Sequence, residues 1–91
     1  MNSVLVVCIG NICRSPMAEA LLAKALPQIT VSSAGTGALI GHPADPIAQA
    51  LMAERGLDLG YHRARQVTQS ICVEADLILT CLLYTSDAAD E

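Results

Sequence analysis

A short apolar segment, SVLVVC at Ser3–Cys8, is followed seven residues later by the start of a helix. A continuous apolar run of this length is typical of a strand buried on both faces of a parallel sheet. The segment Ser15–Leu26 has the signals of a helix, with Ser15 at the predicted N-cap, Pro16 in the first turn and Pro27 after the end. A buried strand that leads directly into a helix favours an α/β fold.

The same alternation continues along the chain. Ile29–Ala34 predicts a second strand, Asp45–Arg55 a second helix capped by Asp45, and Asp76–Thr80 a third strand, with a short helix expected from Thr68. The order β-α-β-α-α-β predicts a three-layer, doubly wound parallel sheet of the flavodoxin-like or Rossmann-like class, which ends after its third strand. Ligands of such sheets bind beyond the carboxyl ends of the strands.

The last eleven residues, CLLYTSDAADE, differ in character from the rest of the chain. They resemble a translation of a common transposase-type sequencing adapter, so we interpret 1–80 as the N-terminal part of one domain and 81–91 as a non-native tail. Three of the nine acidic residues lie in this tail, and without them the net charge changes from −4 to −1. We therefore assign no function to Cys81 or Tyr84.

Length and composition exclude several functional classes. A chain of 91 residues forms at most one domain. No apolar run reaches the roughly 18 residues that a membrane span needs, and the N-terminus does not resemble a signal peptide, so we expect a cytoplasmic protein with reduced thiols. No basic patch predicts a nucleic-acid partner. No second His or Cys stands at ligand spacing from His62, so we expect neither a metal nor a cofactor.

The loop between the first strand and the first helix has the features of an anion site. Its N–H groups and the helix N-terminus form a concavity that favours an anion, and the Arg14 guanidinium can bind two phosphate oxygens. The donors of the loop would stabilise a Cys8 thiolate, to which Ser15 could donate its hydroxyl. A thiolate under a phosphate predicts attack on phosphorus and a phosphocysteine intermediate. The residues predicted to bind the phosphate are Ile9, Gly10, Asn11, Ile12, Cys13 and Arg14.

The pattern Cys-x5-Arg-Ser, within CIGNICRSPMAEALL, resembles the low-molecular-weight protein-tyrosine phosphatases. The resemblance covers essentially all of 1–80 and continues through SSAG (32–35), ADP (44–46), HRARQ (62–66) and DLILT (76–80). It implies that Cys8 is the nucleophile and Arg14 the phosphate-binding arginine of a phosphotyrosine hydrolase. It further implies that the general acid lies beyond residue 80, so that a chain of this length is impaired as an enzyme.

The resemblance also assigns supporting roles. It implies that Ser15 bonds the thiolate, and that Asn11 adopts a left-handed conformation buttressed by Ser33 and His62. Cys13 matches a second loop cysteine that, in some members of the family, pairs reversibly with the nucleophile under oxidation.

The segment SAGTGALIGHPADP resembles the bacterial branch associated with exopolysaccharide tyrosine kinases. The implied partner is a phosphotyrosine-containing protein, such as an autophosphorylated kinase of this kind. Leu39 and Ile40 stand where other members have a substrate-flanking wall with aromatic residues, so we expect apolar contact there instead of ring stacking. Arg63 and Arg65 are predicted to be solvated loop charges.

Two other functions fit part of the pattern. An arsenate reductase of the same fold needs two further cysteines to relay a disulfide, and Cys72 and Cys81 could supply them only if the tail is native. A non-catalytic phosphate-binding module would keep Arg14 but would not need Cys8. We interpret Cys72 as a core residue, and the presence of Cys8 favours an enzyme.

Overall fold

A computed structural model of the chain describes residues 2–81. Within this range, three strands and three helices form in the order β-α-β-α-α-β, which confirms the predicted α/β fold class. These elements are β1 (Ser3–Cys8), α1 (Arg14–Ala25), β2 (Thr30–Gly35), α2 (Pro46–Ala53), α3 (Gln69–Glu74) and β3 (Leu77–Thr80).

The three strands form one parallel sheet with the order β2-β1-β3. The central strand β1 is buried from Val4 to Cys8, as its apolar sequence predicts. In the register, Val6 pairs with Ser33 of β2 and with Leu79 of β3. Because the strands are parallel, their carboxyl ends meet at one edge of the sheet, and the loop after Cys8 begins there.

Apolar side chains form two clusters. One cluster joins the sheet to α3: Leu5, Val7 and Ala34 are buried there, with Ile71 and Cys72 packed against them. This placement of Cys72 agrees with its interpretation as a core residue. The other cluster joins α1 to α2 and consists of Ala20, Ala44, Ala48, Met52 and Leu59.

The first residues of the helices test the N-cap positions that the sequence predicts. Asp45 caps α2 by accepting a bond from the Ile47 amide at 3.0 Å, and Thr68 caps α3 through its hydroxyl. The predicted N-cap at Ser15 is wrong, because α1 begins at Arg14 and the residue at the cap position is Cys13. The side chain of Ser15 is instead fully buried beneath the loop.

The strand β3 forms one edge of the sheet, and its side chains from Leu77 to Leu79 remain 37–41% exposed. At the amino end of the sheet, Asp76 Oδ2 accepts bonds from the amides of Asn2 and Ser3 at 2.7 and 3.0 Å. These two bonds lower the pKa of Asp76. None of the helices in the described part of the chain is long and apolar enough to cross a membrane.

Candidate active site

The loop after β1 encloses a pocket of about 250 Å³ at the carboxyl edge of the sheet. Its position is the one that the strand order predicts for a ligand site. Arg14 is the first residue of α1, so the pocket also lies at a helix N-terminus, where an anion is favoured. The lining residues are Cys8, Ile9, Gly10, Asn11, Ile12, Cys13, Arg14 and Cys81.

Cys8 lines this pocket, and only 7% of the residue is exposed. The amide of Asn11 donates to Cys8 Sγ at 3.2 Å, and Ser15 Oγ lies 2.8 Å from the same sulfur. Two hydrogen-bond donors are therefore available to a thiolate at this position. Hydrogen bonds to a charged group are stronger than those between neutral groups, so both contacts matter most where the sulfur carries negative charge.

The backbone of Asn11 turns the loop over the sulfur. Asn11 has φ 59°, and asparagine adopts this left-handed conformation more readily than most residues. Its carbonyl oxygen lies 2.6 Å from Nε2 of the buried His62. The structure thus brings His62, 51 residues away in the sequence, against the loop.

The side chain of Asn11 is fully buried, and both ends of its amide are hydrogen-bonded. Nδ2 donates to Ser15 Oγ at 2.8 Å and to Ser33 Oγ at 3.0 Å. Oδ1 accepts from the amide of Arg65 at 2.9 Å. A buried amide with all its partners holds the loop in one conformation.

Arg63 and Arg65 are both exposed, as predicted for solvated loop charges, but their side chains also make hydrogen bonds. The bonds of Arg65 reach the centre of the site. Besides its backbone bond to Asn11, its Nε donates to the carbonyl of Ser33 at 2.9 Å. Arg63 Nη1 donates to carbonyl oxygens of Gly60 and His62. Arg65 therefore ties the loop at 60–66 to its surroundings, whereas Arg63 makes its bonds within that loop.

Gly35, the last residue of β2, allows the loop after β1 to approach this strand closely. The sequence pattern did not predict this requirement. A Cβ at this position would lie 2.3 Å from the carbonyl oxygen of Ile9. The next two residues continue the contact. The amide of Thr36 donates to the carbonyl oxygen of Cys8, and the amide of Gly37 donates to the carbonyl oxygen of Ile9. Gly35 is the glycine of the SSAG segment. A glycine next to a loop-like sequence does not by itself predict which part of the chain packs against it.

Exposed apolar side chains lie on and near the loop after β1, and one of them, Ile9, lines the pocket. Ile9, Leu39 and Ile40 are all well exposed, and the amide of Leu39 donates to the carbonyl of Gly10 at 3.1 Å. The loop that carries Leu39 and Ile40 therefore lies beside the loop after β1, where an apolar group of a ligand could contact it.

The four cysteines are all free, and their environments differ. Cys13 is exposed and lines the pocket, as does Cys81, whose amide donates to the carbonyl of Val7 at 2.7 Å. Burial raises the pKa of Cys81, the neighbouring Cys8 raises it further, and Arg14 acts in the opposite direction. Cys72 does not line the pocket; it is partly buried and packs against the core cluster of Leu5, Val7 and Ala34.

The carboxylates within the described range 2–81 lie outside the pocket lining. Glu19 accepts from the Ser33 hydroxyl, Asp45 caps α2, and Asp76 lies at the opposite end of the sheet. No group of three His, Cys, Asp or Glu side chains in this part of the chain could hold a metal ion. The residues gathered here therefore provide a thiol and anion-binding groups.

Comparison with known proteins agrees with this geometry. The chain is 61% identical over 79 residues to the probable low molecular weight protein-tyrosine-phosphatase EpsP of Ralstonia solanacearum, covering 87% of this chain and 54% of EpsP. It is 54% identical over 79 residues to the low molecular weight protein-tyrosine-phosphatase Wzb of Escherichia coli K12, again covering 87% of this chain and 54% of the relative. The chain thus spans about half the length of these curated relatives.

A solved structure shows the same fold. Vibrio vulnificus Wzb in complex with benzylphosphonate superimposes with a TM-score of 0.87 at 44% identity, covering 96% of this chain and 62% of Wzb.

The family model for low molecular weight phosphotyrosine protein phosphatases matches residues 3–88. This match runs past the predicted domain boundary at residue 80, and residues 82–91, with Tyr84, lie outside the described residues. The interpretation of 81–91 as a non-native tail therefore stays a prediction. On the family model and the identity to its relatives, this chain belongs to the low molecular weight phosphotyrosine protein phosphatase family.

Proposed function

We propose that the pocket binds the phosphate group of a phosphotyrosine and that Cys8 attacks its phosphorus. The new S–P bond replaces the bond from phosphorus to the phenolic oxygen, which leaves a phosphocysteine. Water then attacks this phosphorus, and the S–P bond breaks to release inorganic phosphate and the thiolate. The observation that carries the proposal is the pair of donors, Asn11 N–H and Ser15 Oγ, on a sulfur at the base of an anion-binding loop.

Arg14 and the loop amides would stabilise the charge on the three non-bridging oxygens. A planar guanidinium matches two of these oxygens at once, and the helix N-terminus favours the negative charge. In this chemistry the nucleophile and the electrostatic stabilisation both come from the protein, so no cofactor is needed. A catalytic thiolate also requires a reducing compartment, which supports a cytoplasmic location.

Departure of the phenol is the step that the described site supports least. A departing phenolate has a conjugate acid with a pKa of about 10, and a positioned general acid is worth about 10²–10⁴-fold in rate. The pocket lining within residues 2–81 contains no carboxylate. We therefore propose that this chain is impaired on phosphotyrosine and less impaired on esters whose phenol is strongly acidic.

The proposed partner is a phosphotyrosine-containing protein, specifically an autophosphorylated exopolysaccharide tyrosine kinase. The exposed rim formed by Ile9, Leu39 and Ile40 supports an aryl substrate, because it offers apolar contact to the ring of a phosphotyrosine held by the loop. The same rim offers little to free arsenate, and the position of Cys72 in the core disfavours the relay of an arsenate reductase.

The test compares turnover of the parent chain and Cys8→Ser on a phosphotyrosine peptide and on an aryl phosphate with a strongly acidic phenol. We expect the parent to be slow on the peptide and measurably faster on the aryl phosphate. Cys8→Ser should lose turnover of both while still binding benzylphosphonate, as measured by calorimetry. Substantial turnover by Cys8→Ser would contradict the proposal.

A further inference from the structure

Glu19 has no role in the reaction proposed above, yet its carboxylate is bonded into the network behind the phosphate loop. Ser33 Oγ donates to Glu19 Oε1 at 2.6 Å. Glu19 is half-buried and lines a second cavity, of about 240 Å³, together with Arg63 and Arg65. An ionised carboxylate can only accept hydrogen bonds, so Ser33 Oγ is the donor in this pair.

The number of available protons fixes the direction of the next bonds. A serine hydroxyl carries one proton, and that of Ser33 is used by Glu19. Ser33 Oγ can therefore only accept from Asn11, so the amide nitrogen of Asn11 must face it. The amide of Arg65 donates to the other end of the same group at 2.9 Å, which requires the oxygen there. Both neighbours thus select the same orientation of the Asn11 amide.

This orientation determines what Ser15 can do for the sulfur. The second amide proton of Asn11 goes to Ser15 Oγ at 2.8 Å, so Ser15 accepts there and keeps its own proton. That proton is free for Cys8 Sγ, which also lies 2.8 Å away. With the Asn11 amide reversed, its oxygen would take the Ser15 proton, and the thiolate would lose one of its two donors.

We propose that Glu19 is a positioning residue that sets the direction of the hydrogen bonds running through Ser33, Asn11 and Ser15, so that Ser15 donates to Cys8. Glu19 touches neither the pocket nor a substrate in it, and its effect reaches the sulfur only through these bonds. The inference rests on the proposed function for its meaning, since it matters to catalysis only if Cys8 is the nucleophile.

The experiment reads the thiol directly and does not depend on turnover. In the full 91-residue chain, the rate at which iodoacetamide alkylates Cys8 is followed by peptide mass spectrometry across a range of pH. The variants are Glu19→Ala and Glu19→Gln, with Glu54→Ala as a matched control, because Glu54 is an exposed glutamate at the end of α2. Alanine favours the helix, so the first variant should keep α1. All variants retain Cys13, Arg14 and Cys81, the other ionisable groups that line the pocket.

We expect Glu19→Ala to raise the pH midpoint of Cys8 alkylation by roughly 0.5–1 pH unit, because the freed Ser33 proton can turn toward Asn11 and the orientation of its amide is then selected by the Arg65 amide alone. Glu19→Gln should restore most of the difference, since its carbonyl oxygen can still accept from Ser33, and Glu54→Ala should match the parent. A through-space effect of charge has the opposite sign, because removing a negative charge favours a thiolate.

A lower or unchanged midpoint in Glu19→Ala would overturn the inference, as would equal midpoints in the alanine and glutamine variants. If the midpoints shift as expected but the chain forms no phosphocysteine, the proposed function fails and the role of Glu19 in the network stands.

Discussion

Ser15 Oγ lies 2.8 Å from Cys8 Sγ, which joins the first turn of α1 to the end of β1. Both side chains are buried, and the second partner of Ser15 is the side-chain amide of Asn11. A hydroxyl in this position stabilises the same negative charge twice in the proposed reaction. It favours the thiolate before attack, and it favours the thiolate again when phosphocysteine breaks down.

Replacing Ser15 by alanine should therefore slow the second step as well as the first. A hydrogen bond to a charged group contributes about 1.5–3 kcal/mol, so we expect breakdown of phosphocysteine to slow by about 10-fold or more. The decay of phosphorylated enzyme once the substrate is exhausted, followed by acid quench and mass spectrometry, should slow to the same degree. Ser70→Ala, at an exposed position on α3, is the control. An unchanged decay rate with unchanged turnover would show that Ser15 does not act on the sulfur.

Arg14→Lys keeps the positive charge but loses the planar fork that fits two phosphate oxygens. We expect kcat to fall by about 10²-fold, as for the loss of one donor that acts mainly in the transition state, with a smaller rise in KM. The measurement is steady-state kinetics on the acidic aryl phosphate, with the exposed Arg55→Lys as control. A rise in KM alone would mean that Arg14 binds ground state and transition state equally.

Gly35→Ala should destabilise the fold by about 1–3 kcal/mol, because its Cβ would lie 2.3 Å from the Ile9 carbonyl oxygen and the backbone would have to shift. Gly37→Ala is a matched control, since its Cβ would meet Ile9 at an ordinary 3.8 Å. Thermal unfolding followed by circular dichroism should show a clearly lower Tm for the first variant only. Equal Tm values would contradict the close packing of the loop on β2.

Asp76→Asn tests the bonds at the amino end of the sheet. The folded state lowers the pKa of Asp76, so its charge stabilises the fold above the unfolded value of about 3.9. This contribution is lost as the pH falls through the lowered pKa. Denaturant unfolding should show the variant to be less stable at pH 7, with a difference that shrinks below about pH 4. A difference that is constant with pH would exclude a charge effect at Asp76.

Much of the fold could be predicted because its signals are local. The apolar run of β1 has the predicted bounds, Asp45 caps α2 as expected, and α3 begins directly after Thr68, where a short helix was expected. Ser15 shows the limit of such signals, because a serine before a helical sequence is equally suited to a cap and to a buried bond with a neighbouring sulfur.

The contacts that hold the loop could not be derived from local patterns. Glu19 meets Ser33 only because α1 packs on β2, and Arg65 reaches Asn11 across 54 residues of sequence. The resemblance to a family supplied Ser33 and His62 as neighbours of Asn11, but it supplied neither Glu19 nor Arg65. Such pairs depend on how elements pack, for which the sequence has no fixed spacing.

The central claim is that Cys8 becomes covalently phosphorylated during hydrolysis. The most direct measurement is acid quench of the parent chain during turnover of the acidic aryl phosphate, followed by peptide mass spectrometry. The account predicts one phosphoryl group on the peptide that contains Cys8, absent from Cys8→Ser and unchanged in Cys72→Ala. Product formation with no phosphoryl group on Cys8, or with the group on another residue, would contradict the account.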